Sequence, residues 1–127
     1  MIKLLRNKNS KLGLALSGGI IKGLAHVGVL KVLERNKISV GYLAGTSAGS
    51  IIAALYASGL SIEEIEEIVL KWNWSKILDF KISRKGMFTT DKLAKVLEKA
   101  LPISVFKETK IPLRIVTTDL LSAEQYV

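Results

Sequence analysis

The sequence predicts an α/β fold, a mainly parallel sheet flanked by helices. Three observations carry that expectation. Two short apolar runs, Leu12 to Leu16 and Ile38 to Ala44, have the length and composition of buried parallel strands. Each is followed by a glycine-bearing turn and then by a stretch of helix formers. The helical pattern from Gly23 to Arg35 joins the two runs into a strand–helix–strand unit, whose crossover should be right-handed.

Taken in order, residues 1–11 are polar and basic and read as an N-terminal arm, with one domain filling 12–127. Between Gly23 and Arg35, Leu24, Val27, Leu30 and Leu33 recur at helical spacing. Ala48 to Ser58 forms the next helix, with Gly59 at the position that ends it. Ser61-Ile62-Glu63-Glu64 spells a capping box. The helix it opens carries Ile62, Ile65, Ile68, Val69 and Trp72 on one side and Glu63, Glu66 and Glu67 on the other. Residues 73–88 mix aromatic and aliphatic side chains with lysines; a loop tucked over the sheet edge is expected, with a lipid-touching flap as the alternative. Thr90 should cap a helix from Asp91 to Leu101, stopped by Pro102, and a third strand should run from Leu113 to Thr118.

Composition narrows the function. The absence of cysteine excludes disulfides and thiolate metal sites and fits a reducing compartment, and a single histidine makes a zinc site implausible. No metal and no cofactor is expected. The net charge of +8 is uneven: residues 1–37 carry +7, residues 38–75 carry −3 and residues 76–127 carry +4. A basic surface attracts anionic head groups or nucleic acid, but no nucleic-acid-reading motif accompanies it. The basic start followed by Leu12 to Ile21 mimics a signal peptide, yet Ser17-Gly18-Gly19 interrupts its apolar part. The charge-free run Ile38 to Ile62 nominally meets membrane-spanning length, but its four glycines and six Ser or Thr residues fit a strand, a turn and a buried helix better. The expectation is a cytoplasmic protein with peripheral membrane contact. The oligomeric state stays open.

Two turns carry the chemistry. Gly45-Thr46-Ser47-Ala48-Gly49 stands between a strand and a helix, as a nucleophile elbow does. Such a serine occupies a tight, strained turn that projects its hydroxyl past the strand end, and small neighbours let strand and helix approach closely. The Ala48 and Gly49 N–H groups would lie at a helix N-terminus, where developing negative charge is stabilised. Upstream, the loop Gly18-Gly19-Ile20-Ile21-Lys22-Gly23 follows Ser17 and offers backbone N–H groups of the kind an oxyanion hole uses. It lacks the Gly-Lys-Ser/Thr of a phosphate-binding P-loop, and Ile20 stands where a dinucleotide fingerprint requires glycine.

The segments Leu14-Ala15-Leu16-Ser17-Gly18-Gly19, Lys22-Gly23-Leu24-Ala25-His26-Val27-Gly28-Val29-Leu30 and Gly45-Thr46-Ser47-Ala48-Gly49-Ser50 together resemble the start of a patatin-like phospholipase domain. Ile111-Pro112-Leu113 and Thr118-Asp119-Leu120 resemble that family's next strand. The resemblance implies a three-layer fold and a lipid acyl hydrolase that uses a serine–aspartate dyad, acting on a phospholipid or another acyl-ester lipid. By position it implies Ser47 as nucleophile and Gly18, Gly19 and Ala48 as oxyanion donors. Two departures stand out. Ile20 replaces the family's usual third glycine, and no Asp-Gly-Gly or Asp-Gly-Ala motif, which carries the family's catalytic aspartate, occurs in the 127 residues. Asp119 is the best local substitute, although its counterpart in the family is not the acid and hydrogen bonding to loop N–H groups is the role expected of it. His26 as the base would require its helix to aim at Ser47, and a packed or capping role is expected instead. The sequence is thus read as the N-terminal portion of the domain, a form incomplete at its C-terminus that lacks the catalytic aspartate. A catalytically silent lipid-binding or regulatory protein on the same scaffold is the alternative.

Overall fold

The computed structural model describes residues 11–77 and 91–127. Its framework is a three-stranded parallel sheet in the order β1 (Leu12–Leu16), β2 (Val40–Gly45), β3 (Leu113–Ile115). Both crossovers step across the sheet in the same direction. Since parallel crossovers are right-handed, every connecting helix must then lie on one face. Burial agrees with this. Leu16 and Leu43 are buried, and Leu14 and Leu113 pack beside them against the helices. On the opposite face Gly13, Ala15, Tyr42 and Arg114 are exposed and Ala44 is half-buried. The second helical layer of a three-layer architecture is not among the described residues.

Helix α1 (Ala25–Arg35) follows a 3₁₀ turn, Ile20–Leu24, so the expected single helix from Gly23 begins as a tighter coil. It ends in a Schellman motif: the Lys37 N–H donates to the Glu34 carbonyl at 2.8 Å and the Ile38 N–H to that of Leu33 at 2.9 Å. Lys37 takes the left-handed position at φ 54°, where glycine is usual. Helix α2 (Ala48–Ala57) is apolar nearly all round and buries Ile51, Ile52, Ala53, Leu55 and Ala57, as suits the central helix of the layer. Gly59, at φ 95°, ends it as expected. The charge-free run of 25 residues between Ile38 and Ile62 is therefore divided among β2, α2 and the start of α3. Among the described residues no helix is long and apolar enough to cross a membrane.

Helix α3 (Ile62–Lys71) begins with the capping box: the Glu64 N–H donates to Ser61 Oγ at 3.3 Å, and the Ser61 N–H returns to the Glu64 carboxylate at 2.7 Å. The Ser61 N–H, and after it the Ser61 hydroxyl, which donates to the same carboxylate at 2.8 Å, hold the Glu64 carboxyl below its usual range. Ile62, Ile65 and Val69 of α3 close the core against α1 and α2. Trp74–Ile77 forms a single turn, α4, in which the Trp74 indole donates to the Val69 carbonyl at 3.1 Å. The rest of the 73–88 stretch, with Asp79, and the expected cap Thr90 lie outside the described residues, as does the arm up to residue 10. Helix α5 (Asp91–Ala100) lays Leu93 and Leu97 against the same core, although none of its residues is fully buried.

The expected third strand, Leu113 to Thr118, is divided in two. Leu113–Ile115 pairs with β2, and the Val116 N–H still reaches the Gly45 carbonyl at 2.9 Å. Beyond Gly45 the β2 chain turns into the elbow and has no more ladder to offer. Thr117–Thr118 (β4) therefore pairs antiparallel with Gln125–Tyr126 (β5) in a small hairpin.

Candidate active site

Two strand ends, the glycine loop and the elbow meet at the C-terminal edge of the sheet, where α/β sites assemble. The elbow is a turn of four residues. The Gly49 N–H donates to the Thr46 carbonyl at 3.0 Å, and Ser47 has φ 50° and ψ −128°. Those angles belong to the first central position of a type II′ turn, which normally takes glycine. Holding a serine there costs about 1–3 kcal/mol. The cost is borne by close contacts that leave the chain no other path. A Cβ on Gly45 would stand 2.6 Å from the Ser50 Cα, and one on Gly49 would collide with the Leu16 and Ser17 carbonyls, the latter at 2.6 Å. Ser47 itself remains exposed.

Three further bonds fasten the turn. The Thr46 N–H donates to the Leu16 carbonyl at 3.1 Å, tying the elbow to the end of β1. Thr46 Oγ1 donates to the Val116 carbonyl at 3.2 Å, tying it to the end of β3. The Ser50 N–H donates to the Ser47 carbonyl at 2.9 Å. With the Gly49 and Ser50 donors engaged in this way, the first-turn donor left beside the serine is the Ala48 N–H.

The glycine loop lies directly against this turn. A Cβ on Gly18 would approach Ser47 Cβ to 2.9 Å, and one on Gly23 would approach Ala48 Cβ to 2.6 Å. Gly19, at φ 148° and ψ 21°, opens the 3₁₀ turn that begins at Ile20 and continues through Ile21 and Lys22; the Lys22 N–H donates back to the Gly19 carbonyl at 3.0 Å. Gly18 thus lies against Ser47, and Gly23 against Ala48. Lys22 is exposed.

The acid–base candidates fare differently. His26 stands in the first turn of α1, and its Nε2–H donates to the Ser17 carbonyl at 2.8 Å. A carbonyl only accepts, so this nitrogen carries a proton and is unavailable to take one from Ser47. Asp119 lies in the β4–β5 hairpin, where its Oδ1 accepts from the N–H groups of Leu121 at 2.7 Å and Ser122 at 3.1 Å. These bonds, with that from Ser122 first, lower its pKa below the usual aspartate value. Its carboxylate serves its own turn. Among the described residues no group of three or more His, Asp or Glu side chains could hold a metal ion.

Two cavities border the site. One of about 280 Å³ opens at the strand ends between Ser17, Thr46 and Val116. The other, about 250 Å³ and mainly apolar, lies between α2 (Ile51, Ala54), α5 (Leu97) with Leu101 just beyond it, and β3 (Leu113), with Ser50 at its border. Sequence reasoning missed the Thr46 tie and the His26 anchor; the hint for the second was a lone histidine in the first turn of the helix behind the glycine loop.

This arrangement agrees with the wider comparison, in which the family model for Patatin-like phospholipase matches residues 14–126. The chain belongs to that family. Its relatives include the Patatin-like phospholipase domain-containing protein ZK370.4 of Caenorhabditis elegans, 31% identical over 91% of this chain and 9% of its own length. The protein YqhO of Bacillus subtilis is 33% identical over 87% of this chain and 44% of its own length. Lysophospholipase NTE1 of Scheffersomyces stipitis is 44% identical over 45% of this chain and 4% of its own length. The patatin-like chain therefore spans less than half the length of each of these relatives.

Proposed function

We propose that this patatin-like chain carries the nucleophile and oxyanion site of a lipid acyl hydrolase acting on phospholipids or lysophospholipids. The observation that carries the reading is Ser47, held at φ 50° on a strand-to-helix turn with the Gly18 backbone against its side chain. Ser47 Oγ attacks the ester carbonyl carbon, and its proton passes to an aspartate. The carbonyl oxygen becomes an oxyanion and accepts hydrogen bonds from Gly18, Gly19 and Ala48 N–H groups. Collapse expels the alcohol, which takes the proton back from the aspartic acid. The same aspartate then deprotonates water, which cleaves the acyl–Ser47 ester and frees the fatty acid. With Asp119 engaged in its own hairpin and no Asp-Gly-Gly or Asp-Gly-Ala motif in the 127 residues, the base is assigned to an aspartate outside them, and residues 12–127 to the N-terminal portion of the domain, preceded by a basic arm. The apolar cavity beside α2, bordered by Ser50 one helical turn from Ser47, suits an acyl chain. The mechanism calls on no metal or cofactor. Absence of cysteine and the +7 charge of residues 1–37 support a cytoplasmic protein meeting anionic membrane surfaces.

The test is fatty-acid release from lysophosphatidylcholine micelles and phosphatidylcholine vesicles, followed by mass spectrometry for wild type and Ser47→Ala, each in the protein extended to the aspartate to which the base is assigned. Release abolished in Ser47→Ala supports the enzyme. Asp119's engagement favours one second reading, a silent lipid-binding protein. Acyl-chain binding by a folded wild-type chain, with no release above that of Ser47→Ala, would select it.

A further inference from the structure

We propose that His26 is a positioning residue for the oxyanion site: its bond to the Ser17 carbonyl sets the plane of the Ser17–Gly18 peptide and so aims the Gly18 N–H beside Ser47. The inference rests on the reading of Ser47 as nucleophile. Its geometry is independent of that reading.

A peptide unit is planar and trans, so its C=O and N–H point in opposite directions. Fixing the Ser17 oxygen therefore fixes the Gly18 N–H. His26 Nε2–H holds that oxygen at 2.8 Å from the first turn of α1, a helix anchored in the core by Val27 and Leu30. On the other side, the Ser17 carbonyl lies against Gly49 at the start of α2. One peptide unit is thus clamped between the helix behind the glycine loop and the helix behind the nucleophile.

The clamp matters because the chain beyond it resists little. Gly18 and Gly19 have no side chains to hinder rotation of the peptide between Ser17 and Gly18, and Gly19 already occupies a positive-φ conformation. A flip of that peptide would exchange a donor for a carbonyl oxygen at the place where negative charge develops. The hydrogen bond from α1 opposes that flip. The neutral Nε2–H tautomer and the imidazolium both supply the donor, so the role needs no change of protonation during the reaction.

The experiment compares wild type with His26→Phe, which keeps ring volume and loses the donor, and His26→Gln, whose amide can reach the same carbonyl. The rate of Ser47 modification by a fluorophosphonate, whose phosphoryl oxygen occupies the oxyanion position, is read by intact mass. Gly18 and Gly19 amide resonances are read by NMR on the same samples. Outright loss of an oxyanion donor slows catalysis about 10²–10³-fold; a donor left in place but free to turn should slow labelling about tenfold or more. His26→Gln should recover most of the rate, with the Gly18 amide shifted or broadened in His26→Phe and restored in His26→Gln. Equal labelling of wild type and His26→Phe would overturn the inference. Should wild type itself fail to label, the Gly18 amide decides alone: displaced in His26→Phe and restored in His26→Gln, it supports the clamp; unmoved, it overturns it. If His26→Phe does not fold, His26→Asn, too short to reach the carbonyl, takes its place with the same readings.

Discussion

Residues 11–77 and residues 91–127 share one sheet but are built differently. Among the described residues, all fifteen buried apolar side chains lie between Leu16 and Ile77, and none from Asp91 onward is buried. In the first region, helices α1, α2 and α3 close over β1 and β2, and the glycine loop and elbow are pressed together by contacts that a single added methyl would break. In the second, α5 and β3 are half-buried, and the β4–β5 hairpin leaves Leu120 and Leu121 85% and 100% exposed. The difference follows the proposed chemistry. A strained nucleophile and its oxyanion donors need a rigid frame, and the frame is complete where they stand. Asp119, which follows β4, belongs to the loosely held region and is engaged in its own turn.

The contrast is broken most severely at Gly49. Gly49→Ala places a methyl into the Leu16 and Ser17 carbonyls, so the end of β1 or the start of α2 must move, and loss of cooperative thermal unfolding is expected by calorimetry or circular dichroism. A normal transition in that variant would show that the two elements are not in contact. Next come paired core truncations. Ile65→Ala should cost about 2–5 kcal/mol and Leu97→Ala roughly 1 kcal/mol in urea unfolding, because only Ile65 is fully enclosed. Equal losses would erase the distinction between the regions.

Ser47→Gly sharpens the comparison in the other direction. It relieves the positive φ and should stabilise the fold by about 1 kcal/mol, whereas Ser47→Ala keeps the strain and should not. Identical midpoints for the two variants would mean that the turn is unstrained. The smallest effect concerns acid. Glu64 and Asp119 carboxyls are held below their usual range, so their contribution is complete above it and is lost as pH falls below about 4. Asp119→Asn should reduce the acid loss slightly and leave Ser47 labelling unaltered. A collapse of labelling would make Asp119 the base after all.

Much of the dense region was legible in the sequence because its signals are local. Ser61 and Glu64 spell a capping box in four residues, Gly59 marks a helix end, and the glycines of the elbow announce close approach before any contact is known. What stayed hidden depends on partners distant in sequence or on tertiary override. Lys37 occupies a left-handed position where glycine is usual, so no residue type advertised the Schellman turn. The third strand reads as continuous from Leu113 to Thr118, but β2 turns away at Gly45 and leaves Thr117 to pair with its own continuation. His26 showed helical spacing and nothing more; its partner, Ser17, lies nine residues earlier across a 3₁₀ turn. Asp119 is expected at a strand end to accept from loop N–H groups rather than to act as a base, and the hairpin shows that the donors are those of Leu121 and Ser122.

The most direct test of the central claim is modification by a fluorophosphonate of the protein extended to the aspartate to which the base is assigned, read by intact mass and peptide mapping, with Ser47→Ala as control. One adduct, confined to Ser47 and absent from the control, is the predicted result. A folded chain that takes up no adduct, or takes one up at another residue, would contradict the reading of this turn as an assembled nucleophile elbow.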